Sequence, residues 1–248
     1  MKQTLCLVVI TLLLGCSGEN VPDCFQTAGT IIQQEILVPD FDRILVNRDI
    51  ELIIKQADDY AVVIETGENL LSDVKAEVIG NQLVLTDNNT CNYVRDFGIT
   101  KVFVFAPNLT EIRTSTQYDI SSDGVLNYPD LDLISEDFTE ETEFTVGDFR
   151  LNVDSENLRI VSNNISFFYL SGRTRDLFVG FFAGTGRFEG ENLIADNVSI
   201  SHRGSNDMVV NPQLSLTGVL RGTGNLISKN QPPTVDIEEL YTGRLIFD

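Results

Sequence analysis

The sequence predicts an all-β protein, a single-stranded β-helix or β-solenoid with an N-terminal β-rich portion. Three observations carry this. From Glu35 onward, strand-length apolar runs rich in β-branched and aromatic residues follow one another, divided by Gly, Asn and Asp clusters. From about Leu109 an imperfect repeat near twenty residues sets in. No window longer than about ten residues holds a clean helical period.

Taken in order, the chain opens with Lys2 and an apolar run from Leu5 to Leu14. About ten residues suit a signal-peptide core and fall short of the roughly 20 a membrane-spanning helix needs. Leu13-Leu14-Gly15-Cys16 closes the run and resembles the lipobox of bacterial lipoproteins. That resemblance implies a diacylglyceryl thioether on Cys16 and cleavage before it. Buried methylenes at about 0.8 kcal/mol each make several acyl chains an effectively permanent anchor. The alternative is an ordinary secretory signal with an incidental cysteine. The domain reading is therefore a signal peptide over 1–15, a polar tether over 16–34 and a head over 35–248. Ser17 is not the aspartate associated with inner-membrane retention, so an outer-membrane lipoprotein is expected, its head facing either the periplasm or the outside.

A formal net charge of −20 excludes nucleic acid, whose phosphates need clustered Lys and Arg. Acidity favours cationic partners or divalent ions, or simply gives a solvated acidic surface. With Cys16 lipidated, Cys24 and Cys91 remain as an even pair in an oxidising compartment. A bridge between them would pin the N-terminal segment to the first half of the head and be worth about 4 kcal/mol. The alternative is two free thiols. No C-x-x-C pair is present, so a redox or zinc site of that kind is absent from the sequence.

The first strands are read at Ile36-Leu37-Val38, Ile44-Leu45-Val46, Ile50 to Ile54, Tyr60 to Ile64, Val74 to Ile79, Leu83-Leu85 and Val102 to Phe105. Gly80-Asn81 predicts a two-residue hairpin turn. Glu68 to Val74 allows one helical turn at most. The repeat then starts at Leu131, Leu158, Leu177, Val198 and Leu214, at spacings of 27, 19, 21 and 16 residues. Such units cannot bury an apolar side alone; stacked about 4.8 Å apart they share a continuous core. The longest unit carries an insertion with the acidic run Glu136 to Glu143. Val235 to Phe247 is expected to cap the C-terminal end. The competing reading is an antiparallel sandwich whose strands recur by chance.

Phe41-Asp42-Arg43-Ile44-Leu45-Val46, Ala106-Pro107-Asn108-Leu109-Thr110-Glu111-Ile112, Gly184-Thr185-Gly186, Gly222-Thr223-Gly224 and Gly243-Arg244-Leu245-Ile246-Phe247 form an ordered pattern. The pattern resembles the putative auto-transporter adhesin, head GIN domain family of bacterial lipoproteins, over about Ile36 to Asp248. Phe138 to Asn164 departs from it by lacking the glycine pairs. The resemblance implies a β-helical fold on the cell envelope and brings no catalytic residues and no cofactor.

The residues themselves yield no catalytic and no metal site. The single histidine, His202, is expected to face solvent. Ser171 and Ser205 lack a nucleophile elbow. Gly184-x-Gly186 lacks the strand–helix context of a dinucleotide site, so its glycines are read as permitting tight inter-rung turns. Glu136, Asp137, Glu140, Glu141 and Glu143 are read as a solvated loop, with Ca²⁺ the alternative. Strand alternation puts one member of each pair Phe167-Phe168 and Phe181-Phe182 outward, either as a platform for a ligand or as part of a core ladder. The function expected is a lipid-anchored, non-catalytic binding or adhesion module for a protein or glycan ligand. The alternatives are a polysaccharide-active enzyme, with Arg173, Arg175, Arg187, Arg203 and Arg221 as basic candidates, and a self-associating envelope scaffold or sensor.

Overall fold

The fold is all-β. The computed structural model describes residues 23–89, 91–138 and 144–248. The strands are β1 (Ile31–Ile36), β2 (Arg43–Asn47), β3 (Glu51–Gln56), β4 (Ala61–Gly67), β5 (Val74–Ile79), β6 (Gln82–Asp87), β7 (Lys101–Ala106), β8 (Glu111–Ser115) and β9 (Ile120–Leu126). There follow β10 (Asp130–Ser135), β11 (Phe149–Ser162), β12 (Phe167–Phe181), β13 (Arg187–His202), β14 (Met208–Leu220), β15 (Leu226–Ser228), β16 (Thr234–Glu239) and β17 (Leu245–Phe247). Single 3₁₀ turns lie at Asp23–Phe25 and Leu71–Asp73.

The pairings sort these strands into two columns. The first runs β5, β6, β2, β8, β10, then the C-terminal parts of β11, β12, β13 and β14, and ends on β16. The second runs β1, β4, β7, β3, β9, then the N-terminal parts of β11 to β14, and ends on β15 and β17. Among the described residues, 17 strands belong to one sheet that wraps nearly closed around its core. From β8 onward every ladder is parallel, which rules out an antiparallel sandwich there. Each long strand bends from one column into the other; a tight turn at the opposite corner returns the chain one level on.

Alternation explains why the sheet wraps. β2 and β6 bury every second residue, and most of the buried apolar residues join one cluster from Phe41 to Leu226. In the first column Leu131, Leu158, Leu177, Val198 and Leu216 stack in register. Leu216, not Leu214, is opposite Val198. The repeat start expected at Leu214 is therefore corrected by two residues: a register shift around Pro212 moves Leu214 to the bend, where it is exposed.

The N-terminal portion adds an interleaving that the chain order conceals. β2 pairs with both β6 and β8, and β3 with both β7 and β9. The earlier β2–β3 unit thus lies between two later ones. The chain reaches that order through β4 and β5, which pair antiparallel with β7 and β6 and close this end together with β1. The Gly80-Asn81 hairpin joins β5 to β6, with Gly80 at φ +67°, and Leu71–Asp73 supplies the single helical turn. Two expectations change. β1 starts at Ile31, inside the stretch read as tether. Val235 to Phe247 is one more parallel rung, not a covering cap: β16 and β17 continue the ladders of β14 and β15. Asp236, Glu238 and Glu239 charge that last edge, a known defence against edge-to-edge growth.

Candidate functional site

The outer face of the first column carries the arrangement with most chemical content. Side chains just before each core leucine or valine form a polar row: Asp130, Asn157, Asp176, Asn197 and Ser215. Asn157 donates to Asp130 Oδ1 at 2.6 Å, Asn197 donates to Asp176 Oδ1 at 2.9 Å, and Ser215 donates to Asn197 Oδ1 at 2.8 Å. A second row runs Asp132, Arg159, Phe178, Ser199 and Thr217, with Arg159 donating to Asp132 at 2.8 Å. Together the rows line a shallow groove of about 340 Å³. Hydrogen bonds from Arg175, and then from Asn197, hold the Asp176 carboxyl below the usual carboxylate range, so it stays an acceptor.

Gly180 explains the aromatic element of this face. A Cβ there would lie 2.8 Å from Phe178 and 2.9 Å from Phe182, so the two rings flank a position that a side chain would crowd. Alternation turns Phe181 into the core and leaves Phe182 exposed, as the sequence predicts. The inward rings form a ladder: Phe149 stacks on Phe168 at 4.9 Å, Phe168 meets Phe181 at 5.8 Å, and Phe181 meets His202 edge-on at 6.1 Å.

His202 corrects an expectation. It is fully buried rather than solvent-facing, because it pairs in register with the inward Phe181. Its Nε2 lies 2.9 Å from the Asn206 carbonyl, its Nδ1 has no hydrogen-bond partner, and burial pushes its pKa down. Beside it runs the turn column. Thr185 and Gly186 N–H groups donate to the Asn164 carbonyl, Gly224 to that of Gly204, and Gly243 to that of Gly222. A Cβ on Gly222 would lie 2.2 Å from the Gly204 carbonyl oxygen, so these glycines serve close backbone approach.

At the N-terminal end a second cavity, of about 270 Å³, sits at the same turn corner beside loop residues Asn92 and Arg95 to Thr100. Its groups bond chiefly to one another. Asp87 accepts from Thr100 at 2.7 Å and from the Asn89 backbone at 2.9 Å, and Gln117 donates to Asp49 at 2.6 Å. Burial pushes the Asp49 carboxyl up. The loop is tied down by a Cys24–Cys91 disulfide with Cα atoms 4.4 Å apart.

The other sequence candidates do not converge. Arg173 and Arg175 lie at the strand-bend corner, Arg203 and Arg221 at the turn corner, and Arg187 on the second column. Arg175 pairs with Glu156 and Asp176, and Arg187 with Glu189. Within the acidic run, Glu136 is buried rather than solvated. It meets Arg113 at 2.7 Å, because β10 pairs with β8 and sets Ile134, two residues earlier, opposite Arg113. Asp137 accepts from Asn163. Glu140, Glu141 and Glu143 lie outside the described residues, as does Cys16. Among the described residues no three His, Cys, Asp or Glu side chains are placed to hold a metal ion. The polar row itself was not singled out from the sequence, although its signal is there: a polar residue precedes each repeat start.

The fold matches solved structures of proteins described as adhesins or as lipid-binding. One is a "putative adhesin" from Bacteroides fragilis, with a TM-score of 0.78, 19% identity, and coverage of 90% of this chain and 99% of that one. A "putative adhesin" from Parabacteroides merdae matches with a TM-score of 0.58 and 16% identity, over 89% of this chain and 97% of its own. A "putative lipid binding protein" from Parabacteroides distasonis gives 0.57 and 15%, over 88% and 97%. At these identities the likeness is one of fold. No curated protein matches the chain. A family model does match, over residues 40–232, and the chain accordingly belongs to the family described as putative auto-transporter adhesin, head GIN domain.

Proposed function

We propose that this protein is a non-catalytic binding module of the cell envelope, anchored in the outer membrane by lipid on Cys16, and that its head is a β-solenoid holding an extended glycan on the outer face of the first column. The solenoid reading is supported by the parallel ladders running from β8 to β17. The anchor reading is supported by Leu13-Leu14-Gly15-Cys16. Non-catalysis is supported by the scatter of the arginines over two corners and the second column.

One observation carries the ligand: carboxylate and amide side chains repeat at the rung spacing along a groove with Phe178 in its middle. Acceptors about 4.8 Å apart suit the hydroxyls of successive sugar units, and aromatic rings suit their C–H faces. A binding face of this kind asks for rigidity, which the side-chain pairs and the stacked core provide. Binding of the full chain to an immobilised glycan array tests the reading. Retention that Phe178→Ala abolishes is expected. Failure of the unaltered protein to bind any glycan, with capture of a protein ligand instead, would overturn the glycan assignment.

A further inference from the structure

Loop residues 91–98 and the segment just before β1 expose large apolar side chains around one covalent tie. Phe25 is 56% exposed, Tyr93 75% and Phe97 78%. Phe25 and Tyr93 hold each other, with ring centroids 5.8 Å apart, and the Tyr93 N–H donates to the Cys24 carbonyl at 2.9 Å. The Cys24–Cys91 bridge fixes both segments beneath these rings. Arg95 adds a hydrogen bond from its guanidinium to the Gln26 carbonyl at 3.2 Å. The loop is therefore pinned while its apolar groups point outward. Within a chain of formal charge −20, Asn92 to Gly98 carries one Arg and one Asp, so the loop side of the patch is neutral, and Asp23, close to Phe25 in sequence, adds a single negative charge.

We propose that this patch is a membrane-docking surface that seats the N-terminal end of the stack on the bilayer. The proposal rests on the lipid-anchor reading. Cys16 precedes Cys24 by eight residues, a span of at most about 28 Å even fully extended. The disulfide thus keeps the rings within reach of the lipid surface to which Cys16 is bound. Aromatic side chains favour the bilayer interface, and a patch of low net charge lessens the repulsion that the acidic remainder of the chain meets at anionic lipid.

The protein contains no tryptophan, so single tryptophans report position without background. Phe97→Trp and Tyr93→Trp place the probe in the patch; Tyr241→Trp places it on an exposed position at the far end of the stack. Each full-length lipidated protein is reconstituted into vesicles of phosphatidylethanolamine and phosphatidylglycerol with brominated acyl chains. The proteins are expected to float with the vesicles. The patch tryptophans should lose about half their emission to bromine, as expected for residues entering the headgroup–acyl boundary, and Tyr241→Trp should lose none. Flotation without quenching at either patch position would overturn the docking surface and leave the anchor standing. Protein that stays at the bottom of the gradient would overturn both.

Discussion

The two ends of the stack share one core and are secured by different means. In the N-terminal half, strands far apart in sequence are neighbours: β2 and β8 are joined in register at Arg43 and Glu111, and β3 and β7 at Glu51 and Lys101. That half also has the antiparallel closure of β1, β4 and β5, the disulfide, and the buried Asp87–Thr100–Asn89 cluster. In the C-terminal half each rung touches the one before and the one after. It is held by ladder hydrogen bonds, glycine turns and side-chain pairs that repeat. The difference teaches that a regular stack is stabilised locally and additively, whereas its closed end is built from long-range contacts that form together. The regular half is thereby left with an open outer face, and that is where the candidate groove lies.

Substitutions can break this contrast. The largest effect is expected from Phe168→Ala, which removes the middle ring of the aromatic ladder and leaves a cavity: about 4 kcal/mol, measured as a shift in denaturant midpoint. Reducing the disulfide, or replacing Cys91→Ser, should cost about 2–4 kcal/mol by releasing the loop it closes, read as a drop in Tm. By the contrast drawn above, limited proteolysis should then cut first near the loop 88–100 and spare the C-terminal rungs. Gly224→Ala drives a Cβ to 2.0 Å from the Asn206 carbonyl oxygen and 2.5 Å from His202 Nε2. A loss of about 2 kcal/mol is expected, confined to the turn column in hydrogen exchange.

A smaller effect comes from pH. The ordinary imidazole value is about 6.5, and burial holds His202 below it in the folded state. As pH falls the unfolded chain takes the proton first, so stability that is fully present above about 6.5 declines below it. Asp207 lies close enough to favour the charged ring and lessens the effect, while burial dominates. Tm should fall between pH 7.5 and pH 5.5, and His202→Phe should flatten that slope. Smallest of all, Arg159→Ala breaks an exposed pair with Asp132 and should change stability by no more than about 0.5 kcal/mol.

Local features of the fold were legible because they depend on neighbours in sequence. Alternation required one of Phe181 and Phe182 to point inward, the structure showing that it is Phe181, and Gly80-Asn81 announced its own turn. The repeat starts at Leu131, Leu158, Leu177 and Val198 are true register partners. Leu214 misled because Leu214-Ser215-Leu216 offers two apolar positions of the same parity, and a one-residue register slip between Pro212 and Ser215 puts the second of them opposite Val198. The insertion of β2 and β3 between later strands left no trace in the sequence, since a strand alternates alike whichever strand lies beside it. The burial of His202 was not legible because only one ring nitrogen is met, and that locally, by the Asn206 carbonyl four residues on. Gly180 showed as a bare glycine until the rings on either side of it were in place. The polar row needed the register first; only then did Asp130, Asn157, Asp176, Asn197 and Ser215 become a surface.

The central claim is that consecutive turns of the chain build the groove side by side, and that the early β2–β3 unit is threaded among later strands. Cysteines placed in pairs test this directly, using dibromobimane, which fluoresces only when it bridges two nearby thiols. Ser199→Cys with Thr217→Cys, and Arg43→Cys with Glu111→Cys, are register partners on adjacent strands and should both bridge. Ser199→Cys with Asp236→Cys, one further rung away, should not. Absence of bridging in the first two pairs, or equal bridging in all three, would contradict the account.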